Sequence, residues 1–197
     1  LRESLEHVVD AREREIAQRT QELRGAVAEL DRLSRTDALT GCLNYRGFRE
    51  VAMVLWQEAR ASGSPLAALA LDIDYFKAYN DRYGHPRGDT ALKRFAGAVR
   101  SALYHREDIV VRPGGEEFIV FLPDTTLEQA LHVAERIVIS VQHADIAHAD
   151  SPVGVLTVSI GVACRLEDDG QDPEVMLSRA DAALYRAKNA GRNRVSL

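Results

Sequence analysis

Residues 1–36 follow a seven-residue pattern of apolar and charged positions. Val9, Ile16, Leu23 and Leu30 recur at intervals of seven, and the positions three residues further on are Arg12, Arg19, Ala26 and Leu33, preceded by Leu5. This pattern predicts a long helix whose apolar seam packs against a second helix; a helix folded back on its own domain is the alternative. Arginine at two seam positions indicates a weak coiled coil, which suits a signalling connector that shifts register.

From residue 37 onward, helical and strand periodicities alternate along the chain. They predict helices over residues 47–61, 75–83, 89–104, 125–143 and 173–191, and strands over residues 65–73, 108–112, 117–122 and 154–164. Thr125 with Glu128 fits a capping box, and Asp172 before Pro173 fits a helix start. The order βαββαβ predicts an α+β fold with a palm or ferredoxin-like core, in which helices surround an antiparallel sheet behind the long N-terminal helix. We therefore divide the chain into residues 1–36, a coiled-coil helix or linker, and the domain 37–197.

Composition narrows the class of protein. The chain is 46% hydrophobic, enough for a core, and it has no apolar run near the roughly 20 residues that a membrane span needs. Its two cysteines, Cys42 and Cys164, indicate neither a disulfide framework nor a zinc site, so we expect a cytoplasmic location, with any membrane tether upstream. A net charge of −5 argues against a nucleic-acid partner. Because the first residue is Leu1 rather than Met, we expect this segment to be part of a longer protein.

Carboxylates follow two of the predicted strands. Asp72 and Asp74 end the strand 65–73, although Asp74 would serve equally well as a cap for the next helix. The hairpin turn contains Gly114 and Gly115 and is followed by Glu116 and Glu117. Since the first strand and the hairpin are neighbours in a palm-like sheet, Asp72, the Ile73 carbonyl and Glu116 are candidates to share a divalent cation. Oxygen ligands of this kind suit Mg²⁺ or Mn²⁺ bound to a polyphosphate.

Five ordered blocks carry a family resemblance. RPGGEEF (residues 112–118) resembles the signature of the GGDEF family of diguanylate cyclases in its GGEEF form. The other blocks are DALTGCLN (37–44), LDIDYFKAYNDRYGHPRGD (71–89), VSIGVA (158–163) and ADAALYRAKNAGRNRV (180–195). Their order and spacing are similar to those of the family over residues 35–195. The resemblance implies that residues 37–197 are a GGDEF catalytic domain that condenses two GTP molecules into cyclic di-GMP and pyrophosphate.

The family's mechanism implies a homodimer, held here through the N-terminal helix, in which each chain supplies half of the active site. The arginine-interrupted heptads also lead us to expect an upstream sensor domain in the full-length protein. Two Mg²⁺ (or Mn²⁺) ions per half-site would be held by Asp72, the Ile73 carbonyl and Glu116, with Glu117 nearby, and Glu116 would help to deprotonate the 3′-hydroxyl. The implied substrate contacts are Asn80 and Asp89 for guanine, His85, and the phosphate-binding cations Lys77, Lys188 and Arg192. Gly41 and Asn44 would shape the loop on the phosphate side, with a helix cap as the other interpretation of Asn44.

One departure from the family pattern concerns the inhibitory product site. Many members carry Arg-x-x-Asp there, whereas this chain has His105 and Asp108, with Arg106 one position out of phase. A histidine lacks the arginine fork that binds guanine and phosphate through two hydrogen bonds. We therefore expect weak or absent product inhibition, even though Arg136 matches a secondary arginine of some members.

Two other functions are alternatives to an active cyclase. The first is a catalytically silent domain that binds GTP or cyclic di-GMP, but silent members usually lose the acidic signature that this chain retains. The other is synthesis of a mixed guanine and adenine dinucleotide, which Asp89 disfavours because adenine would leave its carboxylate unpaired.

Overall fold

The computed structural model describes residues 12, 15–16, 18–27, 30 and 35–197. Within 35–197, the helices are α1 (Tyr45–Ser62), α2 (Phe76–Tyr83), α3 (His85–Ser101), α4 (Leu127–His143) and α5 (Glu174–Asn189). The strands are β1 (Leu66–Ile73), β2 (Ile109–Gly114), β3 (Glu117–Pro123), β4 (Val158–Cys164) and β5 (Val195–Ser196). The predicted α+β architecture is confirmed.

The strands form one sheet in the order β2-β3-β1-β4-β5. Pairing is antiparallel throughout except between β4 and the short β5. All eight residues of the central strand β1 are buried, which explains why all of them except Asp72 are apolar. The register sets Asp72 opposite Glu117 on β3 and Ser159 on β4. The end of β1 therefore meets the start of β3, as the palm-like arrangement predicted.

Helices cover both faces of the sheet. Alternate residues of β1, Leu69 and Leu71 among them, pack with α3 and α4, whereas Ala68 and Ala70 pack with α1 and α5. Helix α5 approaches β4 closely at Gly161, where an added Cβ would lie 2.0 Å from the carbonyl oxygen of Ala180. Glycine at this position therefore sets how closely α5 lies against the sheet.

Several boundaries differ from the sequence predictions. The capping box of α4 is formed by Thr126 and Gln129, because a turn at Asp124 (φ 47°) engages the Thr125 hydroxyl with the Pro123 carbonyl instead. Helix α3 begins at His85 rather than residue 89, directly after α2. Strand β4 begins at Val158 rather than residue 154, β2 at Ile109 and α5 at Glu174.

The described positions before residue 31 are helical. Three of the predicted seam residues, Ile16, Leu23 and Leu30, are 63%, 66% and 67% exposed, so the domain does not bury them. Leu5, Val9 and Leu33 lie outside the described residues. In the part of the chain that the structure describes, no helix combines the length and apolarity needed to cross a membrane.

Candidate active site

Asp72 lies at the end of the central strand and forms an ion pair with the last turns of α5. It is 9% exposed, and Lys188 Nζ lies 2.8 Å from its Oδ2. Burial raises the pKa of Asp72, the Lys188 ammonium opposes that rise, and Glu116 and Asp74 add to it. A partly desolvated carboxylate next to a second acid favours a cationic partner. The sequence pattern did not predict the contact between these two candidates.

The hairpin between β2 and β3 is anchored at its turn. Gly115 adopts φ 56°, a conformation that glycine tolerates. Its carbonyl accepts hydrogen bonds from Arg112 Nε and Nη2 at 3.0 and 2.7 Å, and Arg112 Nη1 also donates to Asp37 at 3.0 Å. The Ile73 amide donates to the Glu116 carbonyl at 3.4 Å. The turn that carries Glu116 is thereby joined to the end of β1.

Asp37 and Arg112 are structural parts of the site to which the sequence analysis gave no role. Burial raises the pKa of Asp37, but hydrogen bonds from Thr40 and Arg112 outweigh that effect and hold it below its usual range. Both residues stand within family-like blocks, DALTGCLN and RPGGEEF. The sequence did not indicate that Asp37 pairs with Arg112, the arginine that precedes the two glycines of the hairpin; only the structure shows this contact.

Asp74 neither caps α2 nor joins Asp72 at a shared site. It is 1% exposed, and its carboxylate accepts hydrogen bonds from the hydroxyls of Thr157 and Ser159 and from the Asn193 amide. The residue before α2 is Tyr75 (φ 56°), without a side-chain cap. The hydrogen bonds of Asp74 thus enclose it between β4, the residues just before it and the segment after α5.

The candidate guanine-reading residues come from adjacent helices. Asn80 lies on α2 and is half-buried, and Asp89 is exposed on α3. Asn80 Oδ1 is buried without a hydrogen-bond partner. It lies against Gly88, where an added Cβ would be 1.9 Å away. The unpartnered Asn80 Oδ1 and the exposed carboxylate of Asp89 are both acceptors, so they suit a ligand that presents N–H donors. His85 is the exposed first residue of α3.

The remaining candidate cations differ in their surroundings. Lys77 is exposed on α2. Arg192 follows α5 with φ 62°, and its guanidinium carbon lies 4.7 Å from the centroid of the Tyr75 ring. Lys188 and Arg192 thus reach toward the end of β1 and the turn after it. Asn44 caps α1, its Oδ1 accepting from the Gly47 amide at 2.9 Å, which confirms the structural interpretation of that residue.

A cavity of about 410 Å³ lies between α1 and α5 over β1 and β3. Its polar lining comes from Tyr45, Glu117, Glu174, Asp181, Tyr185 and Lys188. Loss of solvent raises the pKa of Asp181, and Glu117 and Glu174 raise it further. Glu117 therefore faces a negatively charged cavity on the side of the hairpin away from the α2–α3 pair.

The donor set at the end of β1 suits a cation that shares its coordination with a ligand. Within the described residues, no group of three or more His, Cys, Asp or Glu side chains is arranged to hold a metal. Mg²⁺ typically takes one or two carboxylates and completes its octahedron with water and phosphate oxygens. Asp72, the Ile73 carbonyl and the Glu116 carboxylate fit that mode, since the Ile73 and Glu116 backbones are hydrogen-bonded to each other.

The window of the inhibitory site lies between α3 and β2, on a turn rather than the strand that the sequence pattern indicated for Asp108. Asp108 accepts from the His105 amide at 3.2 Å, and burial raises its pKa. Arg136 donates to the Ala102 carbonyl and stacks on Tyr104, 3.8 Å from the ring centroid. The secondary arginine is thus occupied by contacts within the chain.

Comparison with known proteins assigns the family. The family model described as "Diguanylate cyclase, GGDEF domain" matches residues 34–194. The chain is 42% identical over 165 residues to response regulator PleD of Caulobacter vibrioides, an alignment that covers 83% of this chain and 36% of that protein. It is 41% identical over 167 residues to diguanylate cyclase DgcM of Escherichia coli, covering 85% and 39%. The chain therefore belongs to the GGDEF family of diguanylate cyclases, and it spans less than half the length of these relatives.

One solved structure is similar to this chain over a larger share of its length than the two relatives above. The coiled coil and GGDEF domain of DgcB from Caulobacter crescentus, in complex with c-di-GMP, matches with a TM-score of 0.85 and 29% identity. The match covers 95% of this chain and 98% of that one. The palm-like fold is thus shared with a solved family member.

Proposed function

We propose that this chain is an active diguanylate cyclase domain that works as a homodimer, each chain binding one GTP. The observation that carries the proposal is the junction at the end of β1. Asp72 lies opposite Glu117 and against Lys188, and Glu116 is joined to Ile73 through the backbone. This arrangement gathers acids and a cation at the end of β1, as a metal-bound triphosphate requires.

In the proposed reaction, the 3′-hydroxyl oxygen of each GTP attacks the α-phosphorus of the other. One P–O bond forms and one breaks in each attack, the 3′ proton is removed, and pyrophosphate leaves. Two such steps convert two GTP into cyclic di-GMP and two pyrophosphates. The bound Mg²⁺ or Mn²⁺, two per half-site, would lower the pKa of the hydroxyl and neutralise phosphate charge.

In this proposal, different residues of the chain would bind the metal ions, the phosphates and the guanine base. Asp72, the Ile73 carbonyl and Glu116 would hold the ions, with Glu117 nearby, and Glu116 would accept the 3′ proton. Lys77, Lys188 and Arg192 would bind the phosphates; Asn80 and Asp89 would bind the guanine edge, beside His85. Because Lys188 already pairs with Asp72, binding of metal and GTP would transfer its ammonium from the carboxylate to a phosphate.

Two chains would meet through the N-terminal helix. The exposed seam residues Ile16, Leu23 and Leu30 support this, since an amphipathic helix needs a partner to bury its apolar side. The solved structure of DgcB, which matches over nearly the whole chain, contains a coiled coil and a GGDEF domain. An upstream sensor would act by changing the register of the two helices and so the distance between half-sites.

Incubation with GTP and Mg²⁺, with and without ATP, followed by chromatography of the products, tests the proposal. We expect cyclic di-GMP in both reactions. A mixed dinucleotide in the presence of ATP would favour the related activity. Nucleotide binding without any product, from a sample shown to be dimeric, would favour the silent binding module.

A further inference from the structure

The proposed function leaves a buried acid without a role. Asp74, 1% exposed, receives three hydrogen bonds: from Thr157 Oγ1 at 2.8 Å, Ser159 Oγ at 2.7 Å and the Asn193 amide at 3.0 Å. The two hydroxyls belong to β4 and its approach, but the amide belongs to the loop after α5. Buried polar groups are costly unless paired, so these contacts fix the loop relative to the sheet.

That loop has a backbone which needs such support. Gly191, Arg192 and Asn193 have φ values of 113°, 62° and 48°, all in the left-handed region. Glycine adopts this conformation freely and asparagine tolerates it, but it is unfavourable for Arg192 and persists there because the surroundings enforce it. Asn193 is held on two sides: its amide by Asp74, and its Oδ1 by Gln142 Nε2 at 2.8 Å.

The same acid begins a second left-handed turn. Tyr75, which follows Asp74, has φ 56°, and its carbonyl lies 3.2 Å from His148 Nε2. The Tyr75 ring lies under the Arg192 guanidinium, 4.7 Å from its central carbon. Asp74 therefore joins the two turns, one through its own main chain and the other through its carboxylate.

We propose that Asp74 is a positioning residue that fixes Arg192 for the triphosphate of GTP. The proposal rests on the proposed function for its ligand. Asp74 touches no substrate itself; it holds the Asn193 amide, and with it the backbone from which the Arg192 side chain extends over Tyr75. When that hydrogen bond is lost, the loop relaxes from its left-handed conformation and the guanidinium loses its fixed position.

The first test is a double-mutant cycle. The measured quantity is the affinity, in the presence of Mg²⁺, for a 3′-deoxy GTP analogue, which cannot be condensed because it lacks the 3′-hydroxyl. Asp74→Ala should weaken binding about 10-fold, the lower end of what supporting hydrogen-bond partners contribute. In an Arg192→Ala background the same change should have no further effect. Full additivity of the two losses would overturn the proposal, because Asp74 would then act through another group.

Two further variants separate positioning from general stability. Thr157→Val removes one hydrogen bond to Asp74 but leaves the Asn193 contact, so it should lower stability without weakening analogue binding. Asp74→Asn should retain near-normal binding of the analogue. Its amide oxygen can accept hydrogen bonds from Thr157 and Asn193, while its NH₂ donates to the Ser159 hydroxyl. Equal losses of binding in Thr157→Val and Asp74→Ala would overturn the proposal.

A measurement without nucleotide makes failure of this proposal distinguishable from failure of the proposed function. Hydrogen exchange at the Asn193 amide should become at least about 10-fold faster in Asp74→Ala and stay unchanged in Thr157→Val. Unchanged exchange in Asp74→Ala would overturn the role of Asp74 in holding the loop. A wild-type chain that binds no GTP would instead contradict the proposed function and the assignment of Arg192 to the triphosphate.

Discussion

Replacing Gly161 by alanine should separate α5 from the sheet. The added Cβ would lie 2.0 Å from the carbonyl oxygen of Ala180 and 2.1 Å from the amide nitrogen of Leu184. Both atoms are helix backbone, which has no alternative rotamer, so α5 must move outward by more than about 1 Å to restore ordinary contact. Overpacking of this kind costs about 1–3 kcal/mol of unfolding free energy.

The displacement should also reach the candidate site, because Lys188 extends from the same helix to Asp72. A misplacement of about 1 Å can reduce turnover about 100-fold. We therefore expect Gly161→Ala to lower both the denaturation midpoint in guanidinium chloride and the rate of cyclic di-GMP formation.

Gly97→Ala is the matched control. Gly97 lies within α3, and nothing is within 4 Å of the position its Cβ would occupy. Alanine should therefore stabilise the helix by up to about 1 kcal/mol and leave turnover unchanged. A Gly161→Ala protein as stable and active as the wild type would refute the close contact between α5 and β4.

Three further predictions concern acid stability, guanine binding and product inhibition. Hydrogen bonds from Arg179, aided by the Leu166 amide, lower the pKa of Asp169 despite its burial. Its contribution to stability should be complete above pH about 4, the range of an unfolded aspartate, and should disappear as the pH falls through the lowered value. Asp169→Asn should abolish that part of the pH dependence in urea titrations, and an unchanged profile would argue against the pair. Gly88→Ala should displace Asn80 Oδ1, 1.9 Å from the new Cβ, and raise the KM for GTP about 10-fold; an unchanged KM would remove Asn80 from guanine recognition. Cyclic di-GMP should inhibit the wild type weakly or not at all through the window of His105 and Asp108, so binding there with micromolar or better affinity, measured by calorimetry, would overturn our interpretation.

The sequence predicted the fold through its strongest patterns. Strand β1 is apolar at every position except Asp72 because both faces are covered, and the predicted hairpin does form, with its turn at Gly115 and Glu116. Boundaries were less accurate where two adjacent residues compete for one role. Thr125 and Thr126 both suit a helix cap, and only the turn at Asp124 decides between them.

The candidate site was predicted as a set of residues but not as a set of contacts. Asp72 and Asp74 are equivalent in a period-two pattern, yet three hydrogen bonds enclose Asp74, whereas Asp72 lies against Lys188. The hydrogen bonds of Asp74 come from residues more than 80 positions away. No local pattern carries that information, since long-range pairing is decided by how the elements pack.

The central claim is that two copies of this chain convert GTP into cyclic di-GMP, with Glu116 essential. The most direct test is the initial rate of cyclic di-GMP formation from GTP and Mg²⁺, measured over a range of chain concentrations for the wild type and for Glu116→Gln. We predict that activity per wild-type chain rises with concentration until dimers are saturated, and that Glu116→Gln, folded and dimeric, forms no product. Turnover retained by Glu116→Gln, or activity per chain that is constant down to concentrations at which the protein is monomeric, would contradict the account.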